Sequence, residues 1–167
     1  MIDSITNYLV GTFQDKIPAE LIIFFISLLP ILELRGGMLA AKLLGVGLFK
    51  AFIICYAGNI LPIPFILLFI RKIFRLLRRS EKLGRLVDKI EAGTMKKKEK
   101  VLRYKQWGLL LFVAVPLPGT GGWTGALLAA LLDIRFKKSL PIIALGVLIA
   151  DLIMSVISYG LLGAIIG

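Results

Sequence analysis

Two oily stretches of this chain are interrupted by proline and glycine where an apolar helix would otherwise run on. The first break reads Leu29-Pro30-Ile31-Leu32-Glu33-Leu34-Arg35-Gly36-Gly37, inside a hydrophobic run from Leu21 to Phe49. The second reads Val115-Pro116-Leu117-Pro118-Gly119-Thr120-Gly121-Gly122-Trp123-Thr124-Gly125, inside a run from Gly108 to Leu132. A longer apolar segment follows each. Such breaks free backbone N–H and C=O groups from helical bonding. Lipid cannot satisfy those groups, so they must be buried in protein or line a cavity. Breaks at matching positions of two halves point to the binding site of a transporter.

Composition says that the surroundings are lipid. Of 167 residues, 58% are hydrophobic, and the mean hydropathy is +0.91. Soluble domains hold roughly 45–50% apolar residues. Several stretches approach the roughly 20 apolar residues that cross a bilayer. The expected fold class is all-α integral membrane, with residues 1–167 forming a single membrane domain.

The net charge of +11 is concentrated between Arg71 and Lys105, where only Glu81, Asp88, Glu91 and Glu99 oppose the cations. A basic run alone would suit nucleic acid. Beside apolar spans it reads as a cytoplasmic loop obeying the positive-inside rule, with an attraction for anionic headgroups. Membrane lipids are therefore the expected partners, and nucleic acid is not. Cys55 is the only cysteine and histidine is absent. That leaves no intrachain disulfide, no metal-ligand set and no Ser-His-Asp arrangement. Neither an enzyme nor a cofactor is expected. Met1-Ile2-Asp3-Ser4 lacks the basic start of a cleaved signal peptide, so insertion is expected to rely on the apolar segments themselves.

Along the chain, Ile5, Leu9, Phe13 and Ile17 form one stripe, which predicts an interfacial helix over 1–18. A first hairpin is expected over 19–49 and a span over 50–70, with Gly58-Asn59 and Pro62-Ile63-Pro64 in its interior. Basic cytoplasmic helices follow over 71–106, with Lys72 to Ile90 as one surface helix and a turn at Ala92-Gly93-Thr94. A second hairpin is expected over 107–133 and a final span over 139–166. The halves overlay with Pro30 on Pro116, Phe49-Lys50 on Phe136-Lys137 and Gly58 on Gly146.

Topology follows from charge. If both broken segments crossed fully, the link Asp133–Lys138 would face away from the basic loop, against the positive-inside rule. If each is a re-entrant helical hairpin, that link stays cytoplasmic. The halves then become inverted repeats in the cytoplasmic (inner) membrane, with both termini outside. The segment Pro-Leu-Pro-Gly-Thr-Gly-Gly favours the hairpins, being a poor continuous helix. Two spans shield two hairpins incompletely, so a homo-oligomer, most simply a dimer, is expected.

The candidate substrate-binding or coupling residues are Glu33, Arg35, Asp151, Asn59, Thr120 and Thr124. Charges at membrane depth are costly and commonly functional. Glu33 and Arg35 lie in the first break, where they bind substrate or proton, or form a structural pair with Arg35 capping freed carbonyls. Asp151, inside the last span, couples a proton, pairs with Arg35 or satisfies backbone groups. Asn59 is its neutral counterpart in the other half or bonds a hairpin carbonyl. Thr120, Thr124 and the surrounding glycine backbone form the second tip, where helix N-termini offer N–H groups to an anion. Trp123 lines the cavity or packs. Lys42 snorkels outward, and Tyr56, Ser155, Ser158 and Tyr159 bond between helices.

Pro30-x-x-Glu33-Leu34-Arg35-Gly36, then Gly58-Asn59-x-x-Pro62, resembles the family of small multi-drug export proteins. The block Pro116-Leu117-Pro118-Gly119-Thr120-Gly121-x-Trp123-Thr124-Gly125-Ala126 strengthens the resemblance. The architecture is also distantly similar to the DedA/VTT superfamily, which implies movement of lipids, including polyprenyl phosphates. Arginines typically surround the proline of the second hairpin in that group; none occurs here from Phe112 to Gly122. Three functions follow as expectations. The first is a transporter of an amphipathic small molecule, with or without proton coupling. The second is a DedA-like lipid transporter or scramblase. The third is a non-transporting membrane scaffold.

Overall fold

The computed structural model describes residues 18–96, 105–117 and 119–161. The interfacial helix expected over 1–18 and the basic stretch 97–104 lie outside the described residues, save Pro18. Every regular element among the described residues is helical.

Two short helices come first, α1 (Ala19–Leu28) and α2 (Glu33–Leu43). Pro18 caps α1, and Glu20 in its first turn pairs with Lys50 at 3.5 Å. The chain leaves α1 with Leu29 extended, as Pro30 requires of the residue before it. The expected break over Glu33–Gly37 is corrected here. The interruption ends at Glu33, the first residue of α2, and α2 runs helically through Leu34, Arg35, Gly36 and Gly37. Gly37 is tolerated because it lets α1 and α3 approach: a Cβ there would strike Ser27, Cys55 and the Ile23 carbonyl.

Helix α3 (Leu48–Ile60) continues through Leu61 and Pro62, both in helical angles, into α4 (Ile63–Leu77). Together they form a candidate span, Leu48–Leu77, with mean hydropathy 2.2. The span thus exceeds the expected 50–70 at both ends, and Pro62 and Pro64 only restart the helix within it. At Arg78–Ser80 the chain turns into α5 (Glu81–Met95), so Lys72 to Ile90 is not one helix. Arg78 secures the turn on Asp88 (3.0 Å) and Glu91 (2.6 Å). Those bonds, Asp88 first, hold its guanidinium above the usual range. The expected turn at Ala92-Gly93-Thr94 is also corrected. Helix α5 passes through it, with the Thr94 hydroxyl donating to the Ile90 carbonyl one turn back at 2.8 Å.

The second half repeats the plan. Helices α6 (Lys105–Ala114) and α7 (Gly122–Leu131) precede α8 (Phe136–Ser155), which continues as a π-helical turn over Val156–Leu161. Phe136–Gly160 is the second candidate span, with mean hydropathy 2.5. Only 28% and 39% of the most apolar window of the two spans is buried. A soluble core helix would be mostly covered, so these helices present apolar side chains such as Phe65, Leu68 and Leu152 outward, as lipid contact requires.

The halves share details of backbone geometry. Helix α2 ends with the Val46 N–H on the Ala41 carbonyl and Gly45 in the left-handed region (φ 69°). Helix α7 ends with the Ile134 N–H on the Ala129 carbonyl and Asp133 in the same region (φ 61°). Both are Schellman closures. They align Leu48 with Phe136 and Lys50 with Lys138. Close approaches recur as well. Gly58 sits against the Phe24 carbonyl and Ser27, and Gly146 against the Leu110 carbonyl and Val113.

The long helices run in opposite directions. Tyr159, ending the second, donates its hydroxyl to Val46, just before the first, at 2.6 Å, and Lys42 lies 5.8 Å over its ring. Arg71, late in the first, bonds the Ala130 carbonyl at 2.6 Å and Asp133 at 2.8 Å, just before the second. The links of the two short pairs meet one another, Glu33 and Arg35 at the end of the first facing residues 117 to 123 of the second.

Candidate functional site

Each link leaves helix ends without intrahelical partners. Here the groups freed by one link are satisfied by side chains of the other. The carboxylate of Glu33, first residue of α2, accepts the backbone N–H groups of Gly122 and Trp123 at 3.2 Å each. It thereby caps the N-terminus of α7, where the helix dipole favours negative charge. Trp123 returns the favour, donating its indole N–H to the Leu28 carbonyl at the end of α1, also at 3.2 Å.

Arg35 serves the second link. One guanidinium nitrogen bonds the Leu117 carbonyl, and the other reaches the Thr120 carbonyl at 3.0 Å and hydroxyl at 3.1 Å. The Thr120 hydroxyl in turn lies 2.8 Å from the carbonyls of Val115 and Leu117. A planar fork with several donors suits this convergence of oxygens. Glu33 and Arg35 share α2, yet no ion pair joins them among the described residues; both are spent on the other link.

The site also stores strain. Glu33 holds φ at 49°, a region most side chains avoid. Gly121, opposite it, holds φ at 127°, and a Cβ there would collide with the Glu33 carboxylate. Glu33 is 5% exposed. A buried, charged residue in a disfavoured conformation persists only where its surroundings fix it.

The other candidates lie around this clasp. Asn59 of α3 is fully buried beside Gly122, with its side chain toward the Glu33 carboxyl. Asp151 of α8 is fully buried too, and its carboxyl oxygens lack a hydrogen bond among the described residues. It lies within electrostatic reach of Cys55 and Tyr56. The expected pairing of Asp151 with Arg35 is not formed, because the Arg35 donors face the second link. Nor is Asn59 the counterpart of Asp151: the register that aligns Gly58 with Gly146 sets Asn59 on Val147 and Ile63 on Asp151. Thr124 stands apart from the clasp and lines a cavity with Trp123 and Leu127.

Tyr56 bonds the Ala144 carbonyl across α3 and α8 at 3.3 Å. Ser155 bonds back within its own helix, to the Asp151 carbonyl at 2.8 Å. Trp123, expected to line a cavity or to pack, does line one; its hydrogen bonds to Glu33 and Leu28 were not anticipated, although its place at a helix start directly after Gly121-Gly122 is a signal for them. The Arg71–Asp133 tie was not legible, since it joins residues far apart in the chain.

Compared with known proteins, residues 33–153 match a family model described as "Putative small multi-drug export protein". No curated protein and no solved structure matches the chain.

Proposed function

Because the chain belongs to the small multi-drug export protein family, we propose that it carries an amphipathic small molecule across the membrane, with the clasp between the two links as its binding or coupling site. The observation that carries this is Glu33 capping α7 from the opposite half of the chain. A helix N-terminus is a ready anion site, and here the protein supplies its own anion. A substrate or proton that engages Glu33 competes with that cap and loosens the two halves. Asn59, beside Glu33, and Asp151, buried with no hydrogen bond to its carboxyl among the described residues, are the groups that a coupling proton or a substrate's polar end meets next.

The membrane arrangement belongs to the same proposal. Each short helix of 10 or 11 residues spans about 15 Å, half of a hydrocarbon core of about 30 Å. We take each pair as a re-entrant hairpin, entering from opposite faces, so that the halves are inverted repeats. The Arg71–Asp133 tie supports placing the basic loop and the Asp133–Lys138 link on one face. The positive-inside rule makes that face cytoplasmic, with the termini outside, in the inner membrane. Ile31 and Leu117, at the two links, stay exposed beside broken backbone, which supports a homodimer that covers them.

A lipid-transport reading through Arg35 is less favoured, because its guanidinium is already committed to carbonyls and a hydroxyl. The test is transport of a lipophilic dye such as ethidium by purified protein in liposomes. Glu33→Gln, Arg35→Ala and Asp151→Asn should each slow transport by about tenfold or more, measured on protein confirmed to be folded, since Glu33 and Arg35 also hold the two links together. Unchanged transport in all three variants removes the site.

A further inference from the structure

A second site lies beside the clasp. Helix α5 folds back over α4 and α7, and the three enclose a cavity of about 480 Å³. That volume is within the roughly 300–1,000 Å³ of small-molecule sites. Ile66, Ile70 and Phe74 of α4 form one wall, and Trp123 and Leu127 of α7 another. Helix α5 contributes Lys89, Ile90, Gly93 and Thr94.

The charge in the lining selects the occupant. Asp88 and Glu91, the carboxylates flanking Lys89 in sequence, are both held by Arg78. No carboxylate among the described residues lies in ion-pair range of Lys89. The Thr94 hydroxyl spends its proton on Ile90 and keeps its lone pairs free. The site is therefore an apolar slot with one cation in its lining, Lys89, that no carboxylate among the described residues pairs, at the basic end of a candidate membrane span. We infer that it binds an amphipathic anion, with an acyl chain against Ile66, Ile70 and Leu127 and the anionic head on Lys89. A free fatty acid and a lipid phosphate monoester share this chemistry.

The cavity touches the clasp at two points. Pro30 of the first link and the Trp123 ring both border it, and Trp123 binds Glu33 and Leu28. An occupant pressing on Trp123 therefore acts on the bonds that join the two halves. The site needs no transport activity to exist, so it stands or falls separately from the function proposed above.

The test uses fluorescence. Trp107, exposed at the start of α6, is changed to Phe, leaving Trp123 as the sole tryptophan. The purified full-length protein in neutral detergent is titrated with dibromostearate, its methyl ester and a dibrominated phosphatidic acid. Saturable quenching by at least one anionic probe is expected, with the tighter of the two naming the source of the head group. Lys89→Gln should weaken it by about fivefold, the worth of one cation near an anionic head. Gly93→Leu should abolish it, since Gly93 borders the cavity and a Cβ added there meets nothing within 4 Å, so the bulkier side chain is accommodated without displacing a neighbour. Quenching that never saturates, that persists in Gly93→Leu, or that is as strong with the methyl ester overturns the inference.

Discussion

Glu33 and Trp123 bind each other's halves of the chain. The Glu33 carboxylate receives the Trp123 backbone N–H at 3.2 Å, while the Trp123 indole N–H reaches the Leu28 carbonyl, on the chain just before the Glu33 link. One residue pair thus closes the N-terminus of α7 and the C-terminus of α1. Backbone groups that the prolines release are paired across the interior rather than with solvent, and the fold and the candidate site become the same set of bonds.

Removing the Glu33 cap should therefore cost stability in proportion to the N–H groups it strands. Glu33→Gln keeps one carbonyl oxygen and loses the second acceptor, stranding one N–H at a cost of about 1–3 kcal/mol. Glu33→Ala strands both, and should melt at a lower temperature than Glu33→Gln in mild detergent. Equal melting of Glu33→Ala and the parent would show that the cap carries no weight.

Gly121 faces the same carboxylate from the other link. Gly121→Ala places a Cβ in a backbone region reserved for glycine, worth roughly 1–3 kcal/mol of strain, and drives it into Glu33. The collision, unlike the strain, disappears when Glu33 is shortened. The double variant Gly121→Ala/Glu33→Ala should therefore lose less stability than the sum of the two single losses. Additive losses in urea or thermal unfolding would place the carboxylate elsewhere.

Much of this was legible in the sequence. Composition implies lipid, the two long apolar runs appear as spans, and the breaks fall in matching halves, with Gly58 and Gly146 in equivalent contacts. The positions of the breaks were less legible. Glycine is a poor helix former in water, so Gly36-Gly37 marks an interruption on paper. In the fold the pair sits inside α2, where only glycine admits Ser27 and Cys55 so closely. Arg35 caps freed carbonyls, as one of its expected readings had it, but which carbonyls it meets, and the capping role of Glu33, were hidden. Their partners are backbone atoms of residues 117 to 123, and local sequence holds no record of which carbonyl or N–H a distant side chain will meet.

Arg35→Lys is the sharper test of the second contact. Lysine keeps the charge but concentrates it at one nitrogen, which cannot span the Leu117 and Thr120 carbonyls together. One of the two carbonyls, the exposed one of Leu117 or the part-buried one of Thr120, loses its partner, at about 0.5–1.5 kcal/mol. Thr120→Val removes the hydroxyl that Arg35 and Val115 share, and should be milder, because the Thr120 carbonyl remains for Arg35. Stability ranked as parent, Thr120→Val, then Arg35→Lys is expected in thermal melts. A fully stable Arg35→Lys would mean that charge alone, without the fork, suffices.

The Arg71–Asp133 tie makes a prediction about the membrane itself. Arg71 lies near the end of the first span and Asp133 just before the second, 2.8 Å apart. Lys82 in α5 and Lys137 beside Asp133 should then face the same aqueous compartment. Lys50, at the start of the first span, should face the other. Cys55 is buried and is the chain's only cysteine, so a Cys55→Ala parent gives a clean background for single cysteines at the three positions. An impermeant maleimide applied to one face of sealed vesicles should label the Lys82→Cys and Lys137→Cys variants together, and Lys50→Cys only from the opposite face. Labelling of Lys82→Cys and Lys137→Cys from opposite faces would require the segment between them to cross an odd number of times. The second short pair would then not return to its own side, and the proposed re-entrant arrangement would lose its basis.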